Sequence, residues 1–296
     1  MRNAASRKIP MPQNVGFGQV YEDIGMKVGD VLETLSSRLG WKADTPLEGL
    51  LAGSADIVVS GISTCAMPSV DVVRRTIAAK RNVILCDGHP FYLYDTYWSG
   101  LPGLQETIDK LPETAVKRRM IEDAGIAVIR VHSAWQAAQP ASAAQSLARA
   151  LKMPAVKGSA GQDFVVCDIP ATSVAQLAQH IQGDGKRLIG NRDWPVSRVA
   201  IIPAMATPAR LGDALRDQAV DAVIAGEVIE WEGGPYMIDV QGTGRKCALL
   251  LIGFANSLDP DATALAQWAK GNFPNIPVDV LHNRSDFIWS VKGPSV

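Results

Sequence analysis

The run Val83-Ile84-Leu85-Cys86 is apolar at every position and breaks off into Asp87-Gly88-His89-Pro90. Four consecutive apolar residues bounded by turn formers fit a strand covered on both faces, and such strands belong to parallel sheets flanked by helices. The preceding residues complete the unit: Asp56 to Ser63 reads as a strand and Ser69 to Ala79 as a helix with Val70, Val73 and Ile77 on one face. Together they predict a β-α-β crossover. Upstream, Val28, Val31, Leu32, Leu35 and Leu39 form a helical stripe that Gly40 stops.

The same rhythm runs down the chain. Glu113 to Ala124 reads as a helix, Ala127 to Val131 as a strand ending in His132, and Ser142 to Leu151 as a helix. Lys157 to Gln162 has the composition of a surface connection. Beyond it, strands are expected at Phe164 to Cys167, Arg198 to Pro203, Ala222 to Ala225, Cys247 to Ile252 and Val278 to Leu281. Helices are expected at Ser173 to Gln182, Ala209 to Gln218 and Asp261 to Lys270, with turns at Gly233-Gly234-Pro235 and Gly242-Thr243-Gly244. The predicted class is α/β in two lobes, each a mixed, mainly parallel sheet flanked by helices. The expected division is an N-terminal arm over 1–25, a first lobe over 26–156 and a second over 157–296.

With 296 residues, 47% of them hydrophobic, the chain can bury a large core. Its 29 Lys and Arg against 30 Asp and Glu include no basic block, which argues against a nucleic-acid partner. Cys65, Cys86, Cys167 and Cys247 make no C-x-x-C pair, so neither a zinc knuckle nor a disulfide framework is expected, and a reducing, cytoplasmic setting fits. No run of 18 apolar residues occurs and Met1 to Pro12 lacks a signal-peptide core, so no membrane partner is expected. A Gly-x-Gly-x-x-Gly or Walker-type phosphate loop is also missing.

In open α/β sheets ligands bind beyond the carboxyl ends of the strands. Asp87 and His89, His132, Glu227 with Glu230 and Glu232, and Gly253 to Asp259 all sit at such ends. Histidine beside carboxylate suits either a divalent ion or acid–base chemistry near neutrality. Glu230 and Glu232 read equally as helix-capping or solvated residues. Cys86 is either a nucleophile or a small buried hydrophobe, and Cys65, ending another run, is the more accessible thiol candidate. The aromatic stretch Phe91, Tyr92, Tyr94, Tyr97 and Trp98 can wall a ligand pocket or pack between subunits.

From Val28 to Val291 the order of these segments resembles the Nif-three-like dinuclear metal-centre proteins, also known as GTP cyclohydrolase I type 2 homologues. The resemblance rests on Val58 to Thr64, Cys86 to Tyr92, Lys117-Arg118-Arg119 with Val131-His132, Gly226-Glu227-Val228-Ile229-Glu230-Trp231-Glu232, and Leu251 to Ser257. The Gly-Glu-x-x-Glu-Trp-Glu block is the most specific, and Asp286-Phe287-Ile288-Trp289 matches the closing segment of one branch.

This resemblance implies a two-lobed protein, assembled as a trimer or hexamer, holding two divalent ions between its lobes. The donors of that centre are depleted here. Where the family has two adjacent ligands before proline, the chain reads Gly88-His89-Pro90; His132 lacks its downstream partners; and Phe254 and Leu258 replace a histidine and a glutamate. Hydrocarbon offers no electron pair, so the family's ion pair is not expected, and only Asp259 stands close enough in sequence to compensate.

The expectation is therefore hydrolytic or other acid–base action on a small molecule in the interlobe cleft, with no cofactor or with one divalent metal ion. His89 and His132 would act as proton-transfer groups oriented by Asp87 and Glu227, or with Glu227 as ligands of one ion, and Tyr92, Trp135 and Cys65 would bind substrate. The alternative is a catalytically silent oligomeric binding or scaffold protein.

Overall fold

Val28, Val31, Leu35 and Leu39 recur at helical spacing and are the buried residues of the first helix, which ends where Gly40 turns left-handed at φ 66°. The computed structural model that contains this helix describes residues 25–40, 47–92, 103–156, 163–181, 186–216 and 219–283. The elements follow in chain order. The first part holds α1 (Val28–Leu39), β1 (Gly49–Ala52), β2 (Ile62–Cys65), α2 (Val70–Ala78), β3 (Val83–Cys86), α3 (Leu104–Asp109), α4 (Pro112–Asp123), β4 (Ala127–Arg130), α5 (His132–Ala138) and α6 (Ser142–Ala150). The remainder holds β5 (Val165–Ser173), α7 (Val174–His180), β6 (Arg187–Ile189), β7 (Pro195–Met205), α8 (Pro208–Arg216), β8 (Ala222–Glu227), α9 (Glu230–Gly242), β9 (Ala248–Leu251), α10 (Phe254–Asn272) and β10 (Val278–Val280).

Two five-stranded sheets form, ordered β1-β4-β3-β2-β10 and β5-β7-β8-β9-β6. In the first, only β1 runs antiparallel to its neighbour; in the second, the central β7, β8 and β9 are parallel and both edges antiparallel. Apolar continuity along β3 has the reason its sequence suggests. Val83 and Leu85 pack with Ala127 and Ile129 against α1 and α10, while Ile84 and Cys86 pack with Val128 on the opposite face beneath α2. Each such buried aliphatic side chain contributes about 1.5–3 kcal/mol, so neither face can turn polar cheaply.

Several expectations are corrected. Asp56 to Ser63 does not run as one strand: Val59 N and Val28 N bond Met26 O and Ile57 O, so the first half pairs beside α1 and the chain enters the sheet only at Ile62. Gly233-Gly234-Pro235 lies inside α9 rather than in a turn. A Cβ on Gly233 would come within 2.9 Å of Val228, so glycine lets the helix pack there, and the carbonyl that Pro235 leaves unbonded belongs to the 70% exposed Trp231.

Within the stretch expected as the second lobe, the described chain returns to the first sheet. Strand β10 pairs with β2, Val278 opposite Ile62, and Leu265, Ala266, Ala269 and Phe273 of α10 join the first sheet's core. Helix α10, which begins at Phe254 rather than at Asp261, also packs on β7 and β8 and so ties the two sheets together. The arm over 1–24, the 157–162 connection, Tyr94, Tyr97, Trp98 and the 286–289 segment lie outside the described residues. Among the described residues no helix is long and apolar enough to cross a membrane.

Candidate functional site

The carboxyl ends of β3, β4, β7 and β8 and the first turns of α10 surround a cleft of about 1300 Å³ between the sheets. Its walls are largely apolar, with Trp135, Met205, Trp231, Phe254 and Leu258 among them. Into it the strand ends deliver Asp87, His132 and Glu227, three of the four residues expected to carry chemistry.

Asp87 follows the last residue of β3, and His132 opens α5 just past β4. Their side chains meet, His132 Nδ1 to Asp87 Oδ1, at 2.7 Å. Burial by itself would push the imidazole pKa down, but the charge and hydrogen bond of Asp87 outweigh it and leave His132 above its ordinary value. The backbone of Asp87 is fixed from behind: buried Arg130 donates from Nε to the Asp87 carbonyl at 2.6 Å and from Nη1 to the Leu47 carbonyl at 2.7 Å. With Nδ1 committed, Nε2 is the ring nitrogen through which His132 can exchange a proton with a molecule in the cleft.

The other charges are paired across the cleft's second wall. Arg187 donates to Glu227 and lies 3.7 Å from Glu230, and Arg210 pairs with Asp163 at 2.6 Å while donating to the carbonyls of Pro203 and Met205. Asp261, the first residue of the expected 261–270 helix, is held by neutral donors only: Ser142 Oγ at 2.6 Å, Trp135 Nε1 at 2.8 Å and Ser146 Oγ at 3.2 Å. Burial raises its pKa more than these three bonds lower it. A carboxylate at the position between Leu258 and Ala262 on a buried helical face was the signal for it. Arg187, on a three-residue edge strand, carried none.

Four expected site residues lie elsewhere. His89 does not line the cleft: its Nδ1 accepts from Phe91 N at 3.0 Å, and burial, then Arg130, Lys117 and Arg118, bring its pKa down to about 4. Tyr92 is likewise off the cleft, its ring 5.5 Å from Lys117 Nζ. Cys65 is no accessible thiol; it is 1% exposed, burial raises its pKa well above the ordinary value, and it lines only a water-sized void beneath Trp135. Asp259 faces the C-terminal segment, accepting from His282 Nδ1 and Asn283 N, each at 2.7 Å. Cys86 is wholly buried in the β3 core, as its small-hydrophobe reading requires.

The donors do not suit a metal centre. His89 is separated from the cleft that holds His132 and Glu227, so that three-ligand set is not assembled, and among the described residues no three His, Cys, Asp or Glu side chains gather as an ion site. Phe254 and Leu258 both face the cleft. At Gly88 a Cβ would stand 2.7 Å from Met67 Sδ, so a larger ligand residue there would have to displace that side chain.

The family described as Duf34/NIF3 (NGG1p interacting factor 3) matches residues 26–233. Among solved structures, the hypothetical protein SA1388 of Staphylococcus aureus is similar over 90% of this chain and 100% of its own, at 16% identity and a TM-score of 0.68. Protein ybgI, of unknown function, is similar over 88% and 99%, at 16% identity and a TM-score of 0.66. A Bacillus cereus protein related to NIF3 covers 90% and 99%, at 11% identity and a TM-score of 0.63. At such identities the likeness is one of fold. No curated protein matches the chain in sequence.

Proposed function

The chain belongs to the Duf34/NIF3 family, and from that premise we propose that it acts on a small molecule in the cleft by acid–base chemistry, hydrolytic in outcome, with His132 and Asp87 as the proton-transfer pair. The observation that carries this reading is the 2.7 Å Asp87–His132 contact at the wall of a cleft of about 1300 Å³. In a hydrolysis, His132 Nε2 takes a proton from water as its oxygen attacks the substrate, and the imidazolium returns that proton to the leaving group. Asp87 holds the Nδ1–H tautomer and stabilises the positive ring between the two transfers. A pKa above the ordinary histidine value suits a group that must both accept and return a proton.

Glu227, fixed by Arg187 on the facing wall, and Trp135 orient the substrate. The proton transfers fall to the chain's own side chains, since among the described residues no three donors gather that would hold a metal ion. The family's guanine-nucleotide name does not carry over, since the wall's arginines are each already engaged by carboxylates or carbonyls. Assembly as a trimer or hexamer and a reducing, cytoplasmic setting belong to the same proposal; the four cysteines are buried thiols.

Incubation of the purified protein with a small-molecule extract, followed by mass spectrometry, tests the reading. Compounds consumed by the wild type should be spared by His132→Asn and by Asp87→Asn. Equal consumption by His132→Asn would refute the assignment, and no consumption by the wild type would favour the silent binding protein.

A further inference from the structure

Five carboxylates line the cleft against three guanidinium groups, which leaves two negative charges before His132 is counted. The three cations are engaged internally: Arg130 donates to backbone carbonyls, Arg187 donates to Glu227 and only approaches the largely exposed Glu230 at 3.7 Å, and Arg210 pairs with Asp163. An anionic ligand reaching Arg187 or Arg210 would have to compete with the carboxylates already there, and Arg130 is buried against carbonyls. Asp261 is the opposite case, a carboxylate whose hydrogen bonds come from an indole and two hydroxyls and therefore leave its charge uncompensated.

The cleft's rim adds an aromatic face. Trp231 is 70% exposed in the first turn of α9, beside Glu230, whose side chain is 83% exposed. A ring of that size left in water forgoes substantial burial free energy, and an indole face next to a carboxylate is the pairing that attracts organic cations. The walls of the same cleft include Phe254 and Leu258, which would cover an apolar body.

We propose that the cleft takes an organic cation, an amine or ammonium group on an apolar body, with the indole of Trp231 and the carboxylates of Glu230 and Asp261 supplying the recognition. The proposal rests on the acid–base reading only for where the ligand sits; it names the ligand's charge independently.

Binding of benzyltrimethylammonium, with phenylacetate and benzyl alcohol as anionic and neutral counterparts, tests it by calorimetry on the full chain. The cation is expected to bind more tightly than either counterpart and to weaken with added salt. Trp231→Leu should cost about tenfold in its affinity and Glu230→Gln about threefold, both positions being exposed enough to leave folding intact. Phenylacetate or benzyl alcohol binding as tightly as the cation overturns the proposal, as does undetectable cation binding or an affinity indifferent to Trp231→Leu. Preference for phenylacetate alongside His132-dependent turnover would refute this inference alone. Trp231-dependent cation binding without any turnover would refute the acid–base reading alone.

Discussion

Removing the charge from Asp87 is the sharpest perturbation of the site. Asp87→Asn keeps the shape and one acceptor atom next to His132 but withdraws the charge and the charge-assisted hydrogen bond that raise the imidazole most, leaving burial and the Arg130 charge, which lower it, against the smaller effect of Glu48, which raises it. A charge-assisted hydrogen bond at 2.7 Å between groups whose side chains are only 27% and 22% exposed is worth about 1.5–3 kcal/mol. Its loss should lower the His132 pKa, which the native pair holds above the ordinary 6.5. The assay is a carbon-edited NMR titration of the imidazole Cε1–H signals, with His132 assigned through His132→Gln. Linkage gives a second readout. Because the folded pKa is raised, the pair's stabilisation is complete below the unfolded value and is lost as pH rises through the folded one. The urea midpoint of wild type should therefore exceed that of Asp87→Asn by most in mild acid, and the gap should narrow towards alkaline pH. A His132 that titrates in Asp87→Asn at or above its wild-type value would refute the reasoning.

Other consequences follow from single contacts. His89 has the opposite linkage: its folded pKa of about 4 lies below the ordinary 6.5, so its buried neutral form stabilises the fold fully above 6.5 and progressively less towards 4, by roughly 3 kcal/mol in all. His89→Gln should flatten that part of the urea-stability profile between pH 7 and 4, and an unchanged profile would contradict it. At Gly226 a Cβ would lie 2.3 Å from Ser257 Oγ and 2.5 Å from Ala204 O, so Gly226→Ala should destabilise by about 2–3 kcal/mol, read as a lower urea midpoint. All four cysteines are buried, so an aromatic disulfide reagent should label the native protein slowly and the urea-unfolded protein at once; prompt reaction of native Cys65 would undo its placement. Phe254→His with Leu258→Glu would return two donors to the cleft that Asp87 and His132 also line, and Mn²⁺ affinity by calorimetry should rise by at least tenfold over wild type.

What the sequence disclosed and what it concealed divide along local and non-local physics. Strands β3 and β9 are four buried residues with no polar member, and β4 and β8 are apolar until a charged residue closes them, Arg130 and Glu227; such runs can hardly be anything else in a chain of alternating helices. Strand ends were legible for the same reason, and they brought Asp87, His132 and Glu227 to one cleft. Strand β10 was read as a strand but not as part of the first sheet, because its three residues carry no mark of their partner; only the path of α10 across both sheets returns Val278 to Ile62. His89 misled because Asp87 and His89 share a face only while the chain stays extended. The chain turns at Gly88, whose N–H bonds Ala66 O, and the two side chains then part, one towards His132 and the other towards Phe91 and Lys117. Asp261 was hidden by the converse effect. Its helix starts one turn after β9 at Phe254, and that phasing turns position 261, together with 254 and 258, towards the cleft. The hydrocarbon pair and the carboxylate held by neutral donors thus lie on one helical face, which sets an apolar surface and Asp261 together in the cleft wall.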